Sequence, residues 1–182
     1  MRAIVLAVLA AASLDAFADS KAGEKKAQLC LLCHKPSNVM AAAPLLEAQP
    51  AKYLVAATTA YKPGKRPDPV MQTNVAKLSA RDIGDIADYF ASRPPVKGVY
   101  TADVTNAAAG EARMTELKCA ACHGPAFAGA DLVPRLAGQT TGYLVSQLEA
   151  FASGRRPHPP IETPFNKMGD LEVIAHFFTA VK

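Results

Sequence analysis

Two Cys-x-x-Cys-His motifs constrain this 182-residue chain more than any other feature of its sequence. The first reads "CLLCH", residues 30–34, and the second reads "CAACH", residues 119–123. Each cysteine pair is followed at once by a histidine, so two thiols and an imidazole come from a single helical turn. This is the attachment pattern of a c-type haem, in which the thiols bond the vinyl groups and the histidine binds the iron.

The motifs predict two covalently bound c-type haems and therefore two iron centres. The predicted cofactor-binding cysteines are Cys30, Cys33, Cys119 and Cys122. The predicted iron ligands on the cysteine side of each haem are His34 and His123.

Other uses of four cysteines explain the sequence less well. Disulfides are the usual role of cysteine in exported proteins, and paired cysteines also hold structural zinc. Neither role requires a histidine after both pairs, and the two pairs are separated by 89 residues. A thioredoxin-like redox pair needs a βαβ pattern, which neither motif has around it.

The first 18 residues predict a secretory signal peptide. Arg2 precedes a short apolar run, and Ala16-Phe17-Ala18 fits the small-x-small pattern of a cleavage point. A membrane anchor needs about 20 apolar residues, more than this run supplies. We therefore expect cleavage after Ala18, no transmembrane segment in the processed chain from Asp19, and a periplasmic location.

The charge balance argues against a nucleic-acid partner. The formal net charge is +4, and removal of the signal takes away one basic residue, Arg2, and one acidic residue, Asp15. The sequence has no dense Lys/Arg stripe interleaved with aromatic residues, which is the usual footprint of nucleic-acid binding.

An internal repeat divides the processed chain in two. "APLLEAQPAKYL" in the first half matches "VPRLAGQTTGYL" in the second, at a period of 88 to 90 residues. Apolar residues at helical spacing, and no convincing strand, predict an all-α fold, with helices at 21–29 and 107–118 leading into the motifs. The predicted domains are 19–92 and 107–182, joined by a linker at 93–106.

These residues carry a family resemblance. The two motifs, the proline about ten residues after each, "PVMQTNVAKLS" and "DIGDIADYF" resemble the class I cytochromes c, and the doubled arrangement resembles the periplasmic di-haem cytochromes of the c-four type. The resemblance implies two tandem class I cytochrome c domains, each a small helical fold around one covalent haem. It further implies that His34 and His123 are the proximal ligands. The carbonyls of Pro44 and Pro134 would accept their outer N–H groups, and Met71 would bind the first iron from the opposite side.

Met71 is also chemically suited to bind the first haem iron. A thioether is a soft, neutral ligand that favours Fe(II) and raises the reduction potential. Met71 follows His34 by 37 residues, which is enough chain to cross to the other face of the haem.

The sequence does not select one distal ligand for the second haem. Ile161 occupies the place of Met71 and has no donor atom. Three alternatives follow. His158 replaces the thioether, the site is open or filled by water, or Met168 reaches the iron through a rearranged loop.

The sequence favours an electron carrier that passes single electrons between redox complexes of a respiratory chain. By resemblance, the expected partners are a quinol-oxidising complex and a terminal oxidase. The alternative is a haem enzyme, or an electron-transfer subunit of an enzyme, whose second haem binds a small substrate such as peroxide. We expect a carrier and not an enzyme, because no insertion is large enough for a substrate domain; an open second site would allow weak peroxidase activity.

Overall fold

The computed structural model describes residues 19–37, 43–96, 100–158 and 168–182. These residues form nine α-helices and no strand, with one isolated bridge between Ala130 and Val133. The predicted all-α class is therefore confirmed. The predicted signal peptide, residues 1–18, lies outside the described residues. None of the described helices is both long enough and apolar enough to cross a membrane.

The described residues of the first half form five helices. They are α1 (Ser20–Lys26), α2 (Leu31–His34), α3 (Ala51–Tyr61), α4 (Pro69–Val75) and α5 (Ala80–Ala91). Side-chain caps begin three of them, because Asp19, Asp68 and Ser79 each accept a backbone N–H of the first turn. At Ser79 the cap is reciprocal, since the Asp82 carboxylate accepts the N–H of Ser79. Caps of this kind typically contribute about 1 kcal/mol each.

Over its described residues, the second half has counterparts of α1, α2, α3 and α5 in the same order. Its helices are α6 (Val104–Leu117), α7 (Ala120–His123), α8 (Thr141–Ala152) and α9 (Met168–Ala180). Helix α6 begins at Val104, three residues before the expected start, because the Asp103 carboxylate accepts the N–H of Asn106 and caps it there. The chain that corresponds to α4 falls within residues 159–167, outside the described residues.

In each half, the first and last helices cross in close contact at a glycine. Helix α1 crosses α5 at Gly23, where an added Cβ would lie 1.9 Å from the carbonyl oxygen of Asp85. Helix α6 crosses α9 at Gly110, where an added Cβ would lie 2.2 Å from the carbonyl oxygen of Val173. Both backbones touch at distances that no side chain would permit, so the same packing device occurs twice.

Each half has its own small apolar core. In the first half, the buried cluster is Ala27, Leu54, Ala87 and Phe90. In the second half, it is Met114, Cys119, Leu144, Leu148, Leu171, Ile174, Ala175 and Phe178. Helical units of this size bury too little apolar surface to be very stable alone, so a bound apolar group adds substantially to each core.

The two halves meet through reciprocal hydrogen bonds. Gln139 accepts the N–H of Leu45 at 2.8 Å and donates to its carbonyl at 3.0 Å. Gln49, at the equivalent place of the repeat, accepts the N–H of Arg135 at 3.0 Å and donates to its carbonyl at 2.9 Å. Both glutamines are buried. A contact and its exchanged copy are the mark of an approximate two-fold interface.

Candidate haem sites

The first Cys-x-x-Cys-His motif folds into one helical turn. Cys30 precedes α2, and its carbonyl accepts the N–H of His34 at 2.9 Å. The His34 imidazole is buried, and its Nδ1 lies 2.8 Å from the carbonyl oxygen of Pro44. That bond leaves Nε2 for the cavity described below. Burial lowers the pKa of His34, which keeps the ring neutral, the form that binds metals.

The second motif has the same geometry. The carbonyl of Cys119 accepts the N–H of His123 at 3.0 Å, and His123 Nδ1 lies 2.9 Å from the carbonyl oxygen of Pro134. Burial lowers the pKa of His123 as well. The expected contacts of both histidines with proline carbonyls are therefore confirmed. A backbone acceptor of this kind fixes the tautomer and orientation of a ligating imidazole.

None of the four cysteines is paired in a disulfide. Burial raises the pKa of the Cys30 and Cys119 thiols, so both are neutral in the protein chain. Among the described residues, no three or more His, Cys, Asp and Glu side chains gather into a cluster suited to a metal ion.

One continuous cavity of about 620 Å³ connects the two motifs. All four motif cysteines and both motif histidines line it. Its walls are otherwise largely apolar and come from both halves, for example Leu54, Ile83, Phe90, Leu144, Ile174 and Phe178. The cavity is large and apolar, and two neutral imidazoles border it. It therefore suits flat apolar macrocycles that carry a metal at their centre.

The candidate distal residues lie in and beside this cavity. Met71 belongs to α4, which Asp68 caps, and lines the cavity together with His34. His158 lines it together with His123, and the centres of these two rings are 6.3 Å apart. Ile161 lies outside the described residues. Met168 is the first residue of α9.

Two arginines converge where the halves meet. Arg66 is 9% exposed and donates to Tyr143 Oη at 2.8 Å and to Gln147 Oε1 at 3.1 Å. Arg156 donates to the same Gln147 oxygen. Among the described residues, no carboxylate forms an ion pair with either guanidinium. Cationic groups placed in this way suit the propionates of a bound haem.

Sequence reasoning missed the polar interface. Gln49 and Gln139 align in the repeat, but an aligned polar residue does not reveal which part of the chain it binds. Gln147 has no glutamine at its counterpart, Ala57, so the repeat gave no signal for it. The bonds of Gln49 to Arg135, of Gln139 to Leu45 and of Gln147 to Arg66 join residues from different halves.

Comparison with known proteins gives consistent results. The cytochrome c family model matches residues 107–170. Cytochrome c4 of Pseudomonas aeruginosa is 35% identical over 149 residues, covering 76% of this chain and 73% of the relative. The thiosulfate dehydrogenase electron acceptor of Thiomonas intermedia is 30% identical over 173 residues, covering 88% of this chain and 79% of the relative.

Solved structures resemble the fold over most of its length. Reduced cytochrome c4 from Pseudomonas stutzeri superposes with a TM-score of 0.80 at 27% identity, covering 91% of this chain and 100% of that one. Thiosulfate dehydrogenase from Marichromatium purpuratum superposes with a TM-score of 0.75 at 26% identity. The match covers 88% of this chain and 40% of that larger one.

Proposed function

The chain belongs to the cytochrome c4 family of di-haem c-type cytochromes, and we propose that it carries single electrons between redox complexes of a periplasmic respiratory chain. The observation that supports this most directly is the single cavity lined by both Cys-x-x-Cys-His motifs. When bound, each haem supplies an iron that alternates between Fe(III) and Fe(II).

In the first half, we propose that Cys30 and Cys33 hold the haem covalently and that His34 and Met71 bind its iron. Pro44 orients the His34 ring through the 2.8 Å contact with Nδ1. Met71 on a capped helix presents a neutral thioether that favours the reduced state. A site with both axial positions filled by the protein changes little in geometry on electron transfer.

In the second half, the corresponding residues are Cys119, Cys122 and His123, with Pro134 as the orienting carbonyl. The shared cavity would bring the two haems close together across the interface of the halves. Arg66 lies at that interface and bonds to side chains of the second half, so its positive charge would offset the negative charge of nearby haem propionates. Electron exchange between the two haems would then need no domain movement.

We propose that the physiological partners are a quinol-oxidising complex as donor and a terminal oxidase as acceptor. The proposed signal peptide would place the mature chain in the periplasm, where it could meet such partners. A second candidate role is acceptance of electrons from an enzyme. Its support is the similarity to the Thiomonas intermedia electron acceptor and to the Marichromatium purpuratum dehydrogenase, both named for thiosulfate dehydrogenation.

The first test is the mass of the purified, denatured protein. We expect the mass of residues 19–182 plus two haem groups, and a reductive titration that takes up two electrons in one-electron steps. A mass equal to the bare chain would overturn the proposal.

The second test separates the two roles. The oxidised protein is mixed with a quinol-oxidising complex and quinol, and separately with thiosulfate dehydrogenase and thiosulfate. Reduction is followed optically. Faster reduction in the first mixture supports the respiratory role, and reduction in the second mixture alone supports the enzyme-linked role.

A further inference from the structure

We infer that His158 is the distal ligand of the second haem iron, so that the two haems of this chain have different axial ligands. The inference rests on the proposed function, because it requires a haem in the second half. It concerns the position at which the second half departs from the first, where Ile161 replaces the ligand Met71.

The spacing of two imidazole rings carries the inference. The ring centres of His123 and His158 are 6.3 Å apart, and both rings line the same cavity. Two imidazoles on opposite sides of one metal ion each need about 2 Å from nitrogen to metal and about 1 Å more to the ring centre. The expected separation is thus roughly 6 Å, which the two rings already have.

The orientation of His123 agrees with a metal between the rings. Its Nδ1 is engaged by the carbonyl of Pro134, so Nε2 is the nitrogen left for the cavity. The ring planes of His123 and His158 differ by 32°. Such an angle is permitted, because each ring can turn about its own bond to the metal without losing it.

Neighbouring side chains fix the position of the His158 ring. Phe151 packs against it edge to face, with ring centres 4.6 Å apart. The guanidinium of Arg156 lies 4.7 Å from the centre of the Phe151 ring. Pro157 precedes His158 and restricts the backbone at that point. The imidazole is therefore held at the cavity wall by packing, as a ligand that is ready to bind must be.

The turn that leads to His158 is shared by both halves. Gly64 and Gly154 have φ of 71° and 70°, a left-handed conformation that suits glycine. After this turn, the N–H of Arg66 bonds the carbonyl of Ala60 at 3.0 Å, and the equivalent bond from Arg156 to Ala150 is also 3.0 Å. The backbone therefore has the same conformation in both halves as it leaves this turn.

Beyond the turn the halves diverge. In the first half, Asp68 caps α4, and Met71, three residues later, reaches the cavity. In the second half, the residue at the place of Asp68 is His158, and it reaches the cavity itself. The donor atom has thus moved three residues towards the turn, which makes a donor at position 161 unnecessary.

The change of ligand separates the two reduction potentials. A thioether raises the potential of a haem, and an imidazole in its place favours Fe(III). The second haem should therefore have the lower potential, and an electron shared by the two haems rests on the first half. The protein would accept electrons at the second haem and release them from the first.

The test begins with the unaltered holoprotein in its ferric state. Spin-resonance and near-infrared magnetic circular dichroism spectra should show one His/Met and one His/His haem, both low-spin. Two His/Met signals, or one high-spin ferric haem that binds carbon monoxide after reduction without any substitution, would overturn the inference. Mass measurement confirms in the same sample that both haems are present, so a failure here is distinct from a failure of the proposed function.

Variants identify the residue. His158→Ala should convert the His/His haem to a high-spin ferric form that binds one carbon monoxide per protein once it is reduced. His158→Met should raise the potential of that haem. His176→Ala is the matched control, because His176 is in the same half but does not line the cavity, and it should leave both spectra unchanged. If His158→Ala changes neither spectrum while Met168→Ala removes a ligand signal, Met168 is the ligand and the inference is wrong.

Discussion

The backbone nitrogen of Asp19 donates a 2.8 Å hydrogen bond to Oδ1 of Asp85, a carboxylate whose side chain is only 1% exposed. The other oxygen of Asp85 accepts from Lys26 Nζ at 2.5 Å. Asp19 is also the residue that the predicted cleavage after Ala18 would place first. Processing would thus convert the donor from an amide into an ammonium group, next to a buried negative charge.

We predict that the chain beginning at Asp19 is more stable than a chain that retains Ala18. With a free ammonium as the donor, the hydrogen bond from Asp19 to Asp85 carries charge on both partners. Such charge-assisted bonds are stronger than neutral ones. Thermal unfolding of the two holoproteins measures the difference, and the longer chain should melt at the lower temperature. In an Asp85→Asn background the difference should become small. Equal melting temperatures with Asp85 intact would contradict the prediction.

The same carboxylate predicts a loss of stability in acid. The hydrogen bond from Lys26, followed by that from the Asp19 N–H, lowers the pKa of Asp85. A carboxyl group whose pKa is lower in the folded than in the unfolded state stabilises the fold above its unfolded pKa of about 4. That stabilisation disappears as the pH falls through the folded pKa.

Asp85→Asn should therefore lower stability at neutral pH and flatten the acid side of a plot of melting temperature against pH. Glu24→Gln removes an exposed carboxylate of α1 and serves as the control. It should leave the plot close to that of the unaltered protein. An acid side of unchanged slope in Asp85→Asn would show that other carboxylates govern it.

The helix crossing at Gly110 predicts a large effect of one methyl group. An alanine Cβ there would lie 2.2 Å from the Val173 carbonyl oxygen and 2.7 Å from the Phe177 Cβ. Helices α6 and α9 must separate to admit it, at a cost of about 3 kcal/mol. Denaturant unfolding of Gly110→Ala measures that cost. Glu111→Ala changes the next, exposed residue and should alter stability by less than about 0.5 kcal/mol; similar losses in both variants would refute a steric origin.

Local features of the sequence predicted much of this molecule. The two Cys-x-x-Cys-His motifs fixed the cofactor, because their chemistry lies within five consecutive residues. The repeat and the helical spacing of apolar residues predicted two helical halves, and the contacts of both histidines with Pro44 and Pro134 followed from the family resemblance. The domain boundaries and the ligand roles of individual residues stay predictions.

Features that depend on chain segments far apart in sequence were not predictable. Gly23 and Gly110 look like ordinary helix glycines until the partner helix is placed against them. His158 was one of three alternatives for the second distal position. Only the folded chain shows that its ring lines the same cavity as His123, with the two ring centres 6.3 Å apart.

The interface between the halves predicts a role for Gln139. Its side chain satisfies both the N–H and the carbonyl of Leu45, and its removal leaves buried backbone groups without these bonds. Gln139→Ala should lower the free energy of unfolding by about 1 to 3 kcal/mol. Gln28→Ala, at an exposed position of the first half, should change it by less than about 0.5 kcal/mol. Unfolding curves of the holoproteins test both values, and a Gln139 variant as stable as the Gln28 variant would contradict the assignment.

Met71→Ala should lower the potential of the first haem and reduce the difference between the two haem potentials. The substitution keeps α4 intact, since alanine favours helix, but it removes the thioether that we propose as the second protein ligand of the first iron. We expect loss of the Fe–S charge-transfer band, binding of carbon monoxide at the first haem, and a lower potential there. Thr73→Ala is the control, because Thr73 is exposed on the same helix and its hydroxyl donates to the carbonyl of Pro69. Redox titration of both variants, with each haem followed by its own spectrum, measures the shift. If the Fe–S band survives in Met71→Ala and disappears in another methionine variant, the first haem has a different sixth ligand, and the predicted flow of electrons towards the first half loses its basis.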